Sequence, residues 1–199
     1  MLTKFDRIAV FDFDNTLSTK SSTIPFLRHL HKHDFFFQFI QVLPTALLFQ
    51  TKFLGIDDLN TAFVRQFIKG LSKKQLLTFA ESFNKHYMPN ILNTIAMQRL
   101  QWHKKKLDFC LLATSAYNVY IDAWAAQHGF DAVVSTKIEF DNKDLATGKL
   151  ERPSCYGKEK LKRVRELIGQ KEITYAYGDS KGDKQILEVA KNAYYRKFE

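Results

Sequence analysis

A chain of 199 residues, 45% hydrophobic, can bury a proper core and exceeds the roughly 100 to 150 residues of an ordinary single domain, which suits one core carrying an insertion. Its two cysteines, Cys110 and Cys155, have no paired spacing, so a disulfide scaffold is excluded and a reducing compartment is expected. A formal charge of +9 and a pI near 9.4 fit an anionic partner, but Lys104–Lys106 and Lys158–Arg165 are not interleaved with aromatics, so no nucleic acid is expected.

Met1–Asp6 leads straight into a first strand, Arg7–Asp12, and leaves no room for a signal peptide; a cytoplasmic location is expected. That strand is the apolar run Ile8-Ala9-Val10-Phe11, and it ends on two acids, Asp12 and Asp14. An extended chain places residues i and i+2 on one side, so both carboxylates would face one substrate while Phe11 and Phe13 bury opposite. One can attack as a nucleophile while the other protonates a leaving oxygen. Two anions so close repel, and Mg²⁺, a hard oxygen-seeking cation, is the natural remedy. A strand followed by a polar turn would give the same string, so the pair needs context.

Between about Ser21 and His86 the pattern turns helical, with Phe63, Phe67 and Leu71 at mixed spacings of three and four. Asp57 or Asp58 starts one helix and Ser72 the next. The run from Phe35 to Phe49 is interrupted by glutamines and Pro44. It falls short of the ~18 to 20 continuous apolar residues that a spanning helix needs. It reads as a buried face of packed helices, or else as an interfacial or acyl-binding surface with Lys32 and Lys52 at its flanks. His29 and His33 share a helix face, but no carboxylate or thiolate completes a zinc set with them or His31.

Further strands are expected at Phe109–Thr114, Ala132–Ser135, Ile173–Tyr177 and Ala193–Phe198, with helices at Tyr120–His128, Glu159–Ile168 and Asp183–Ala190. This alternation implies an α/β fold with a parallel sheet and right-handed crossovers. The strand ending at Thr114-Ser115 offers hydroxyl and backbone donors to phosphate oxygens, although a threonine there also serves as a cap. Lys158 and Lys160 each could bring a fixed positive charge, although most lysines are solvated. Ile173–Tyr177 again ends in acids, Gly178-Asp179-Ser180-Lys181-Gly182-Asp183. Four acids, Asp12, Asp14, Asp179 and Asp183, are therefore expected to converge on one cation at the sheet's carboxyl edge.

The order DxDNT, strand plus threonine, lysine, then GDSxGD resembles the haloacid dehalogenase superfamily over the whole chain. Within it the chain is most similar to the phosphoserine-phosphatase-like branch, subfamily IB, and to its phosphatidylglycerophosphatase C group through Cys155-x-Gly157-x-x-Lys160 and Tyr177-Gly178-Asp179-Ser180-Lys181-x-Asp183. The resemblance implies a Rossmann-like core over 1–18 and 88–199 with an inserted helical (C1-type) cap over 19–87. It implies that Asp12 attacks phosphorus and Asp14 acts as acid and then base. Thr114, with Ser115 as fallback, would hold phosphoryl oxygens, and Lys160, with Lys158 as rival, would neutralise them. Asp12, Asp179 and the backbone carbonyl of Asp14 would ligate Mg²⁺, and Asp183 would orient Lys160 or the metal's water.

The expected activity is thus a Mg²⁺-dependent phosphomonoesterase acting through an aspartyl phosphate. Phosphoserine enzymes of this branch carry a glutamate shortly after the first motif, whereas Ser18–Thr23 holds no acid. A lipid or polyol phosphate therefore ranks ahead of phosphoserine or another small metabolite, with peripheral membrane contact through the apolar segment. Two other readings stay open: a phosphotransferase, and a non-catalytic module that binds an anionic surface or nucleic acid.

Overall fold

The computed structural model describes residues 5–198; Met1–Lys4, the first part of the segment read as leading into the first strand, and Glu199 lie outside the described residues. Five strands form one parallel sheet in the order β3-β2-β1-β6-β7, where β1 is Ile8–Phe11, β2 Phe109–Tyr117, β3 Ala132–Thr136, β6 Tyr175–Gly178 and β7 Asn192–Tyr195. β1 lies at the centre and is buried on both faces. Ala9 and Phe11 enter the larger hydrophobic cluster, while Ile8 and Val10 enter a second one with Val164, Ile168 and Ile186. An unbroken apolar strand is what a doubly covered parallel sheet requires. Truncating Phe11, stacked on Tyr177 at 4.6 Å between ring centroids, would cost about 3 to 5 kcal/mol.

Helices α5 (Thr94–Lys105), α6 (Asn118–Gln127), α7 (Gly157–Ile168) and α8 (Lys184–Val189) flank the sheet. α6, α7 and α8 match the expected helices with ends shifted by one or two residues; α5 was not foreseen. Its apolar residues Ile95, Ala96, Met97, Leu100 and Trp102 are spread around the helix and mark no single face, and its position is set by Asn93, whose side chain accepts the Ile95 and Ala96 N–H groups. The hairpin β4 (Ile138–Phe140) and β5 (Ala146–Leu150) was also not foreseen. Its turn is written in Asp141, whose carboxylate accepts the Lys143 and Leu145 N–H groups, and in Asp144 at φ 56°.

Between β1 and α5 the chain forms α1 (Thr23–Leu30), α2 (Phe35–Gln50), α3 (Ile56–Phe67) and α4 (Lys73–His86). α4 starts at Ser72 as expected. Its hydroxyl accepts the Gln75 N–H while the Gln75 side chain accepts the Ser72 N–H, worth about 1 kcal/mol. α3 starts one residue before Asp57; Gly55 is its cap, and Asp58 reaches back to the Gly55 N–H. This helical layer leaves and rejoins the sheet through two adjacent segments: the Thr19 N–H donates to the Ile91 carbonyl, and the Asn93 N–H donates to the Leu17 carbonyl. Phe26 of α1 and Phe83 of α4 pack on Tyr120 of α6, which fastens the layer over the sheet's carboxyl edge. No helix among the described residues is long and apolar enough to cross a membrane.

The segment from Phe35 to Phe49 corrects the expectation of a buried face. It forms α2, in which Val42 alone is fully buried. Phe35 and Phe39 pack on Phe67 and Phe63 of α3, but Phe36, Phe37, Ile40, Leu43, Leu47 and Leu48 are exposed. His31 holds the layer together by bonding the Phe67 carbonyl and Gln38, and His29 packs on Phe83.

Candidate active site

Register sets the site. Phe11 pairs with both Leu112 and Tyr177, so Asp12, Ala113 and Gly178 stand level, at the carboxyl ends of β1 and β6 and midway along β2. The Asp12 N–H donates to the Tyr177 carbonyl at 2.9 Å, which fixes the residue just past the strand end. Asp179 follows Gly178 directly. Asp183 returns to it because the tight turn Ser180-Lys181-Gly182 is closed by the Asp183 carboxylate, which accepts from the Ser180 hydroxyl at 2.8 Å and the Ser180 N–H at 3.1 Å. Gly178 is obligatory for steric reasons: a Cβ there would meet the Asp183 Cβ at 2.5 Å.

Carboxylate oxygens of Asp12, Asp179 and Asp183 lie within 4.8 Å of one another. Lys160, carried by the first turns of α7 and buried, places its ammonium 2.9 Å from Asp12 and 2.5 Å from Asp183. Lys158 is exposed, because two residues along a helix do not share a face. Thr114 is buried on β2, one position beyond the level of Asp12, with its hydroxyl accepting the Ala116 N–H; Ser115 beside it is half-buried.

Asp14 departs from expectation. The strand ends at Phe11, and residues 13–17 form a compact turn closed by the Ser18 N–H on the Phe13 carbonyl, with Asn15 at φ 58°. Strand alternation therefore no longer applies, and Phe13 packs on Trp124 in the same cluster as Phe11. Three carboxylates converge instead of four. The Asp14 carboxylate turns to the start of α1, where it accepts the Ser22 N–H at 2.8 Å, the Ser22 hydroxyl at 2.7 Å and the Ser21 hydroxyl at 3.4 Å. The Ser22 hydroxyl also meets the Tyr120 hydroxyl at 2.8 Å. Sequence reading missed both partners. Ser22 had a signal, since a serine before Thr23-Ile24-Pro25 marks a helix start; Tyr120 had none, lying 98 residues away.

Burial pushes the Asp12 carboxyl up to about 8; the Lys160 ammonium opposes this, and Asp183 and Asp14 add to it. Burial also raises Asp179, again with Asp183 contributing. Burial raises Asp14 to about 6 against the hydrogen bonds from Ser22 and Ser21. Burial weakens the hold of Lys160 on its proton, but Asp12 and Asp183 outweigh it and raise the ammonium's affinity for the proton overall. Three gathered carboxylates with one buried ammonium cannot all ionise without further positive charge, which, with burial, is why Asp12 and Asp179 hold protons more tightly, and that donor set suits a hard divalent cation. Beside Asp179 opens a cleft of about 520 Å³, lined by Asn15, Thr16, Asn93 and Arg196. The buried Thr16 hydroxyl has no partner among the described residues.

The haloacid dehalogenase-like hydrolase family matches residues 9–188. The chain belongs to this family. Protein CicA of Caulobacter vibrioides is 29% identical over 192 residues, 96% of this chain and 86% of that protein. Among solved structures, a protein of unknown function from Bordetella pertussis Tohama I shares 19% identity at a TM-score of 0.71, over 82% of this chain and 74% of that one. A phospho-aspartyl intermediate analogue of phosphoserine phosphatase shares 16% identity at a TM-score of 0.62, over 94% of this chain and 84% of that one. The Rossmann-like sheet and the helical layer over its carboxyl edge are thus the family's fold.

Proposed function

We infer that the chain is a Mg²⁺-dependent phosphomonoesterase that works through an aspartyl phosphate on Asp12. The observation that carries the reading is the buried Lys160 held between Asp12 and Asp183 within a group of three carboxylates. Phosphoryl transfer asks a protein mainly to position groups and to balance charge on the phosphoryl oxygens, and this arrangement is equipped for both. Asp12, Asp179 and the Asp14 carbonyl would hold Mg²⁺, which when bound supplies positive charge to the phosphoryl oxygens and to the clustered carboxylates. The analogue solved for phosphoserine phosphatase supports the covalent route by fold likeness.

In the first half-reaction an Asp12 carboxylate oxygen bonds to phosphorus as the ester P–O bond breaks, and the leaving alkoxide takes a proton from Asp14. In the second, water attacks phosphorus, its proton goes to Asp14, and the Asp12–phosphorus bond breaks to release phosphate. Lys160 would balance charge on the Asp12 nucleophile and the phosphoryl group, and Asp183 would orient Lys160. Thr114, with Ser115 beside it, would hold the phosphoryl oxygens. Lys158, which faces solvent, is set aside for this role.

The substrate proposed is a lipid or polyol phosphate. No acid stands in Ser18–Thr23 to receive an ammonium group, and Ser21 and Ser22 of that stretch are engaged with Asp14. Phosphate release from lysophospholipid, glycerol and amino-acid phosphates, with and without Mg²⁺, tests the reading. Turnover should require Mg²⁺ and vanish in Asp12→Asn, with lipid or glycerol phosphate preferred. Better turnover of phosphoserine would reverse the substrate ranking. Transfer to an added alcohol in place of water would mark a phosphotransferase. Activity retained by Asp12→Asn, or ester binding with no turnover at all, would end the enzymatic reading.

A further inference from the structure

From the outer face of α2 we propose that this helix docks the protein in the interface of a bilayer containing anionic phospholipid. The proposal rests on the surface alone and not on the catalytic reading. Residues on a helix advance by about 100°, so Phe36, Phe37, Ile40, Leu43, Leu47 and Leu48 fall within an arc of about 140°. All six are exposed, from 41% at Leu43 to 74% at Phe36, and Phe53 just past the helix is 80% exposed. The opposite arc, with Phe35, Phe39 and Val42, is occupied by packing on α3. The apolar face is thus continuous and left to solvent, larger than isolated surface residues would make it.

Charge decides the occupant. α2 contains no charged residue, and between Lys32 and Lys52 the single acid is Asp34 at its amino end. Both lysines are exposed, one at each end of the helix, within a chain of net charge +9. A helix with an apolar outer arc and lysines at its ends can lie in the headgroup layer while the long lysine stems reach lipid phosphates. A second copy is a poorer occupant, because antiparallel pairing of two α2 helices would set Lys32 of one against Lys52 of the other. Interfacial docking also fits the dimensions: α2 is 16 residues long, too short to span.

The test is co-sedimentation of the full chain with vesicles of phosphatidylcholine alone or mixed with phosphatidylglycerol, beside sedimentation velocity without lipid. The wild type should bind the mixed vesicles, with added salt weakening it. Phe36→Ser/Phe37→Ser/Leu47→Ser should lower partitioning at least ~100-fold, and Lys32→Gln/Lys52→Gln about 5-fold per lysine on the mixed vesicles only. Unchanged circular dichroism and melting of both variants would show that the fold is kept. Wild-type protein that stays in the supernatant, a triple variant that binds as the wild type does, or a lipid-free dimer that the triple variant dissociates would each overturn the proposal. Hydrolysis of a water-soluble ester, measured in parallel, reports on the catalytic reading independently.

Discussion

Replacing Lys160 with methionine keeps most of the side chain's length and removes its charge. The ammonium sits 2.5 Å from Asp183 and 2.9 Å from Asp12, and all three side chains are buried. At an effective dielectric near 20, each contact carries a gross attraction of about 6 kcal/mol, much of which is offset by the cost of desolvating the ions. Removal of one partner of such a buried pair exposes that cost, and a loss of about 3 to 5 kcal/mol is expected in the metal-free protein. Against a total stability of about 5 to 15 kcal/mol the variant should still fold. Equilibrium urea unfolding in EDTA, followed by circular dichroism, measures the loss. The same experiment on Asp12→Asn and on the double variant measures coupling. Because Asp12→Asn removes one of the stranded charges, the double variant should lose less than the sum, by about 1 to 3 kcal/mol. A single-variant loss under about 1 kcal/mol, or strict additivity, would refute the account of Lys160 as the counter-ion of buried carboxylates.

Ser22→Ala removes the 2.7 Å donor to Asp14 and should lower kcat about tenfold, while Tyr120→Phe, one bond further out, should cost only a few-fold; steady-state phosphate release separates the two. Gly178→Ala forces Asp183 away from a Cβ at 2.5 Å and should abolish turnover while far-ultraviolet circular dichroism stays close to wild type. Burial lowers the affinity of His103 for a proton, despite its bond to Asp108. The unfolded chain therefore takes up that proton first, so stability is full above about pH 6.5 and falls as pH drops below it. His103→Gln, which keeps polar contacts near Tyr177 and Asp108, should flatten the decline in melting temperature between about pH 6.5 and 5.

The sheet was legible because its strands are short apolar runs, two of which, β1 and β6, are followed directly by acids, a pattern that survives without any partner in view. Ile8–Phe11 needs burial on both faces, and register sets Asp12 level with Gly178, so that Asp179 follows one position beyond. The residues alone left Lys158 and Lys160 open and the family resemblance favoured Lys160, yet its burial between Asp12 and Asp183 depends on α7 crossing to the carboxyl edge. Asp14 was misplaced because strand alternation was extended two residues past the true strand end; the turn at Asn15 sends its carboxylate to Ser22. α5 and the β4–β5 hairpin escaped because neither carries strong periodicity in the chain.

What the sequence determined by itself was the order of buried strands and the acids that close them, since hydrophobic run and polar stop are local properties. Tertiary structure alone decided which acids meet, which serine and tyrosine hold Asp14, and which face of α2 is left bare. Those outcomes depend on how strands register and helices cross, and side chains as far apart in the chain as Asp12 and Lys160, 148 residues, are joined only when that packing is complete.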